Sequence, residues 1–322
     1  MKKSTAPSSQ IRIGFAGWSY ADWNGVFYPK PRPRGFQELA YIAQFFSAAE
    51  INTSFYRPPQ AAWVRNWLNQ VREYPDFQFT AKLWRGFTHT RNATADDEMA
   101  FREGLSPLVE ENRLGALLVQ FPWSFKNTGE RRAYLADLIR RFSDYPLVVE
   151  VRHGSWNEPE VLAWLREKGV GICNIDQPVI GNSLRAHANS TSAIGYVRVH
   201  GRNAEHWFVK NQDASERYDY LYAVKELVPW VERIKEIAGK TRVVYVIANN
   251  HPDAKSAVNA FQLANLIFGE RLAAPDSLIE RYPVLADITS PAEAPAASTR
   301  SLFNAEPAIT PAALSVLDRD RR

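Results

Sequence analysis

The stretch YVRVHGRN, residues 196–203, decides how this chain is read. At a period of two, Tyr196, Arg198 and His200 share one face, while Val197 and Val199 share the other. A half-exposed strand would turn that polar face to water. A closed parallel barrel offers a different place for it: alternate side chains point into the interior, and those at the strand C-termini converge on the barrel mouth.

Whether the chain is such a barrel depends on what surrounds this stretch. Apolar, β-rich runs occur at IRIGFAGW, AEINTSFY, FQFTAKLW, GALLVQFP, LVVEVRH, GICNIDQ, GYVRVHG and VVYVIANN. Between them lie segments of helical period, such as FQELAYIAQFFSAA, PQAAWVRNWLNQVRE, DDEMAFREGLSPLVEEN and ERRAYLADLIRRF. Helix-start signals support the alternation: Asn157 precedes Glu158 and Pro159, and Pro252-Asp253 precedes AKSAVNAFQLANLIF. Eight such strands alternating with helices predict an α/β fold, a single (β/α)8 TIM barrel over residues 11–270. A doubly wound open sheet is the structural rival, but no Gly-rich phosphate turn follows the first strand. The first ten residues and the Ala/Pro-rich stretch 271–322 predict a flexible N-terminus and a largely disordered C-terminal extension.

Composition narrows the function classes. The 322 residues are 45% hydrophobic and 23% charged, a globular balance. One cysteine, Cys173, cannot form an internal disulfide, and the opening MKKSTAPSSQ has no apolar run behind its lysines; the expectation is a cytoplasmic protein. No run approaches the roughly 18 apolar residues of a membrane helix, so no membrane partner is expected. The net charge of +4 suggests nucleic acid at first sight. From residue 270 on there are six Lys/Arg and eight Asp/Glu, leaving 33 against 27 spread over many helices. Solvated helix faces explain that spread better than a nucleic-acid patch does.

The barrel reading places polar residues at the strand ends: Glu50 and Asn52, Thr80 and Lys82, Gln120, Glu150 and Arg152, Asn174 and Asp176, Arg198 and His200, and Asn249. Any one of these pairs is explained as well by a structural ion pair. Ionisable groups on so many successive strands would be costly to bury without a function, which predicts a pocket. Aromatics gather in the same loops, Trp18, Tyr20, Tyr56 and Trp123 among them, where flat faces stack on a ligand or simply pack.

The segments GWSYADW, EINTSFYRPP, FTAKLWRGFTH, VQFPWSF, VEVRHGSW, YVRVHG and NNHPDAKSAVNA, in this order, resemble the YecE-like proteins, the domain-of-unknown-function family numbered 72. The resemblance runs from about Ile11 to Phe268. It implies a TIM barrel with a pocket at the strand C-termini, no established activity, and a shared pocket set of Trp18, Tyr20, Glu50, Asn52, Tyr56, Lys82, Gln120, Glu150, Arg152, Arg198, His200, Gly201, Asn249 and Asn250. The sequence departs from the family pattern in its first strand, where GFAGW replaces Gly-Thr-Ser-Gly-Trp.

Three chemistries fit these residues. The first is metal-independent acid/base catalysis on a polar, anionic, sugar- or nucleotide-like substrate. Glu150 and His200 would exchange protons, and Lys82, Arg152 and Arg198 would hold negative charge; a Schiff base at Lys82 is the lesser reading beside an ion pair with Glu50 or Glu150. In the second, Glu50, Glu150, Asp176 and His200 ligate a divalent metal, as in barrel isomerases or endonucleases, although three neighbouring cations would repel it. In the third, the aromatic loops form a non-catalytic platform for carbohydrate or nucleic acid. The first is expected, with no cofactor and catalysis carried by Glu150, His200 and Lys82; the sequence does not fix the oligomeric state.

Overall fold

The computed structural model describes residues 9–207, 209 and 216–292. Eight parallel strands close into a barrel: β1 (Gln10–Ala16), β2 (Ala48–Ile51), β3 (Gln78–Lys82), β4 (Leu114–Gln120), β5 (Leu147–Glu150), β6 (Gly171–Asp176), β7 (Ile194–Val199) and β8 (Val243–Ala248). Each strand pairs with its sequence neighbour, and β8 returns to β1 through Val244 opposite Ile11 and Ala248 opposite Phe15. Each of the eight strands coincides with one of the runs that the sequence marks, with β1, β2, β4 and β7 starting one residue earlier.

Helices cover the outside: α1 (Glu38–Ile42), α2 (Ala61–Gln70), α3 (Arg85–Thr88), α4 (Ala95–Glu110), α5 (Gly129–Arg141), α6 (Pro159–Glu167), α7 (Val224–Ala238) and α8 (Lys255–Phe268). Local chemistry sets where they start. Thr94 caps α4 by accepting from the Asp97 amide while the Asp97 carboxylate accepts from the Thr94 amide, a reciprocal pair that satisfies two otherwise orphan donors. Pro159, whose missing N–H costs nothing in a first turn, opens α6.

The outward strand faces, except on β6, are apolar and bury against these helices. Phe15 meets Trp23, Phe27 and Phe46 edge-on, at centroid distances of 4.9, 5.9 and 5.3 Å. At the floor of the barrel interior, Arg12 reaches the carbonyl of Asp76 and the Gln10 side chain. Higher up, the Tyr196 and Thr80 hydroxyls lie 2.8 Å apart, and Tyr196 donates to Glu50 Oε2 at 2.9 Å. The floor and middle layer are thus filled by side chains, which leaves the mouth as the place for chemistry.

Order extends past the expected end of the domain at 270. Strands β9 (Leu272–Ala274) and β10 (Thr289–Pro291) pair in parallel, with α9 (Asp276–Arg281) between them. Leu278 and Leu285 are fully buried. The expected loose extension is therefore corrected for residues 271–292; spaced leucines give this segment an apolar face that its Ala/Pro composition hides. Residues 1–8 and 293–322, where the remaining flexible segments were expected, lie outside the described residues. Among the described residues, no helix is long and apolar enough to cross a membrane.

Candidate active site at the barrel mouth

Arg198 organises the interior. Its side chain is fully buried, and it donates from Nη1 to Glu150 Oε2 at 2.6 Å and to Gln120 Oε1 at 3.2 Å, and from Nη2 to Glu50 Oε1 at 2.8 Å. Both carboxylates are fully buried as well. A planar guanidinium fork can bridge carboxylates from different strands of a barrel in a way a lysine ammonium cannot. Glu150 Oε1 also accepts from Arg152 Nε at 3.0 Å, with Arg152 Nη2 2.9 Å away in the same ion pair. Burial alone would raise the Glu150 pKa, but the guanidiniums of Arg198 and Arg152 hold it well below the usual carboxylate range.

His200 is fully buried beside this pair. Its Nε2 lies 3.3 Å from Glu150 Oε1, and its Nδ1 lies 3.0 Å from Asn249 Nδ2. A proton on Nε2 satisfies both contacts: Nε2 donates to the carboxylate and Nδ1 accepts from the amide. Burial first, then the charges of Arg152 and Arg198, lower its pKa to about 3, so the imidazole is neutral at physiological pH.

Lys82 closes the third side. Its Nζ donates to Asn52 Oδ1 at 2.7 Å and sits 3.5 Å from Glu50 Oε1 and 5.7 Å from the Phe55 ring centroid. Burial, then Arg198, lowers its pKa to about 8. Lys82 and Arg152 keep 8% and 11% of their side chains exposed, whereas Arg198, Glu50 and Glu150 keep none, so the two cations face outward over the buried carboxylates. Three cations against two carboxylates and a neutral histidine leave the cluster with a net positive charge.

Beside the cluster lies a cleft of about 160 Å³ lined by Gly17, Trp18, Ser19, Tyr20, Asn52, Thr53 and Tyr56. Trp18 is held edge-on against Trp67 at 5.3 Å, and Tyr20 stacks on His251 at 4.4 Å while donating to the Ala16 carbonyl. Tyr56 is 60% exposed. Trp23 and Trp156 are instead buried: Trp23 donates to the His251 carbonyl, and Trp156 stacks on Phe125.

Most of the sequence-derived set therefore comes together: Glu50, Asn52, Lys82, Gln120, Glu150, Arg152, Arg198, His200 and Asn249 around the network, with Trp18, Tyr20 and Tyr56 at the cleft. Three residues do not. Asn250 turns toward α8, donating to the Tyr220 carbonyl and to Asn259 Oδ1. On β6 the inward residue is Cys173, whose Sγ is 4.0 Å from Glu150 Oε2, so Asn174 and Asp176 face the helix layer. Asn174 there anchors the β6–β7 connection through His187 and Asn189, and Asp176 pairs with Arg202 at 2.9 Å. That position removes Asp176 from the expected metal-ligand set, and Arg198 bridges the two remaining carboxylates. Among the described residues, no group of three or more His, Cys, Asp or Glu is arranged to hold a metal ion.

Tyr196, placed by its parity on the inner face with Arg198 and His200 but given no role, joins the network below the mouth through Glu50 Oε2. One residue at the mouth was passed over. Trp207, whose ring lies 5.6 Å from the Arg152 guanidinium, follows β7 in a long loop with no period to place it.

Comparison with known proteins agrees with this architecture. The family model described as "Protein of unknown function DUF72" matches residues 12–278. The UPF0759 protein YunF of Bacillus subtilis (strain 168) is 30% identical over 276 residues, spanning 80% of this chain and 94% of the relative. A DUF72 family protein of Thermotoga maritima is 31% identical with a TM-score of 0.67, covering 79% of this chain and 97% of that one. One from Enterococcus faecalis V583 is 29% identical with a TM-score of 0.69, covering 79% and 94%.

Proposed function

Since the chain belongs to the DUF72 family, whose function is unknown, we propose a function from the site itself: an enzyme that binds a small polar anion, sugar- or nucleotide-like, at the C-terminal mouth of the barrel and acts on it by acid/base chemistry. The observation that carries this reading is that Lys82 and Arg152 are the partly exposed members of a buried cluster in which three cations meet only two carboxylates, Glu50 and Glu150. An anion arriving at the mouth meets uncompensated positive charge in a partly dehydrated setting, where each charge-assisted hydrogen bond is strong.

In this reading the roles divide. Glu150 is committed to two guanidiniums and His200 is held neutral, so both fix the orientation and charge of the network. Lys82, brought to about 8, is the group with a proton to exchange near neutral pH. The aromatic walls of Trp18, Tyr20 and Tyr56 suit the flat or ring-shaped part of a ligand.

Calorimetric titration with inorganic phosphate tests the anion. Arg152→Ala is expected to weaken binding by about 1.5–3 kcal/mol, the value of a lost charge-assisted hydrogen bond. Equal affinity in Arg152→Ala and the unaltered protein would refute the reading. Phosphorylated and carboxylated sugars that bind but are never turned over would make the mouth a binding module instead.

A further inference from the structure

Lys82 has chemistry that proton exchange does not exhaust. Its amine donates to Asn52 Oδ1, and Asn52 is itself part of the cleft wall, so the nitrogen stands one hydrogen bond behind that wall. The cleft, about 160 Å³, is comparable with the roughly 150 Å³ cavity that holds a benzene-sized molecule. Phe55 shields one side of the amine, and Glu50 lies 3.5 Å away on the other.

We propose that Lys82 is a covalent nucleophile, whose amine condenses with the carbonyl carbon of a small anionic aldehyde or ketone to form an imine; this rests on the anion-binding reading of the mouth. The step balances without oxidant or reductant. The ammonium releases a proton to water, and the free nitrogen pair forms a C–N bond as the carbonyl π pair moves to oxygen. The nitrogen of the resulting carbinolamine loses a second proton, and its hydroxyl leaves with a proton as water, giving the C=N bond.

The surroundings favour the free amine. Burial and the charges of Arg198 and Arg152 oppose protonation more than Glu50 and Glu150 support it, and His89, also within electrostatic reach, is itself held neutral. At pH 7.5 a lysine with an ordinary pKa is about 0.1% free amine, whereas one at about 8 is roughly a quarter free.

Reductive trapping of the full chain decides the matter. The protein is incubated with glyoxylate or dihydroxyacetone phosphate and sodium cyanoborohydride, and the modified lysines are mapped by peptide mass spectrometry over time. Lys82 is expected to be modified first, on the order of a hundredfold faster than exposed lysines given its larger free-amine fraction, with saturation in the carbonyl compound and a rate rising through pH 8. Lys82→Arg should remove this fast phase and leave the slow surface phase. Modification that follows exposure, with Lys82 unmodified in the unaltered protein, overturns the proposal. Inorganic phosphate separates the two readings. Phosphate binding without trapping at Lys82 removes the nucleophile and keeps the anion site, whereas trapping that phosphate neither slows nor binds alongside keeps the nucleophile and removes the anion site.

Discussion

Arg198 bridges two carboxylates on different strands of the barrel, and its removal would leave Glu50 and Glu150 buried with weaker compensation. Breaking a buried ion pair from one side costs about 3–5 kcal/mol. Arg198→Met is expected to lower the urea-unfolding free energy by that amount, and a loss under about 1 kcal/mol would mean that water hydrates the freed carboxylates, contrary to this account. His200 gives a second expectation at the same scale. Its folded pKa of about 3 lies below the unfolded value near 6.5, so between those values the unfolded chain binds a proton that the folded chain refuses. Its contribution is present in full above pH 6.5 and falls as the pH drops toward 3. His89 and His187, both held to about 4, act in the same direction, so NMR titration of the individual imidazoles is the measurement that isolates His200. Its ring signals should stay at neutral shifts down to pH 5, and a midpoint near 6 would contradict the buried hydrogen-bonded ring.

Gly104 shows how one position fixes the approach of two elements. In an exposed helix interior, exchanging glycine for alanine gains about 1 kcal/mol. Here a Cβ would fall well inside contact distance of the Pro59 carbonyl, just before α2, where the backbone cannot move aside as a flexible side chain would. Overpacking of this kind costs about 1–3 kcal/mol, which outweighs the propensity gain, so Gly104→Ala should lower the melting temperature; a rise would show that α2 and α4 separate freely. The elements also show where sequence is legible. In β3, β5 and β7, charged or polar residues alternate with Phe79/Ala81, Val149/Val151 and Val197/Val199, and the inner face can be read directly. In β6 every residue is buried, because loops and helices cover the outer face as fully as the barrel covers the inner. Periodicity then marks two faces without saying which is inside. The polar pair Asn174/Asp176 faces out because its partners, His187, Asn189 and Arg202, come from connections distant in sequence. Asn250 follows the same logic: its partner Asn259 lies on α8, beyond what a strand pattern can reveal.

At the scale of the whole molecule, β9, α9 and β10 act on the mouth through the loop after β8. That loop carries Asn249 and His251 and then passes through two non-glycine residues in the left-handed region, Asp253 (φ 53°) and Ala254 (φ 57°). Such a conformation costs on the order of 1–3 kcal/mol per residue and persists only where its surroundings hold it. The C-terminal segment supplies part of that hold: Arg281 reaches Asp253 Oδ2 at 2.6 Å, and the Tyr282 hydroxyl donates to the Asp253 carbonyl at 2.7 Å. Leu278 and Leu285 fix the segment, each buried leucine contributing about 1.5–3 kcal/mol before the ordering cost of the chain that carries it. A chain ending at Gly269 should therefore melt several degrees lower and become cleavable by protease within residues 251–255, because the hold of Arg281 and Tyr282 on Asp253 would be gone. Tyr282→Phe, which keeps the buried ring and deletes the hydroxyl, separates the two contributions. It should leave the melting temperature nearly unchanged while loosening the loop, seen as faster amide exchange at Asp253 and Ala254. Unchanged exchange in Tyr282→Phe would remove the Tyr282 hydroxyl from the hold on the loop and leave it to the Arg281–Asp253 ion pair and the packing of the leucines.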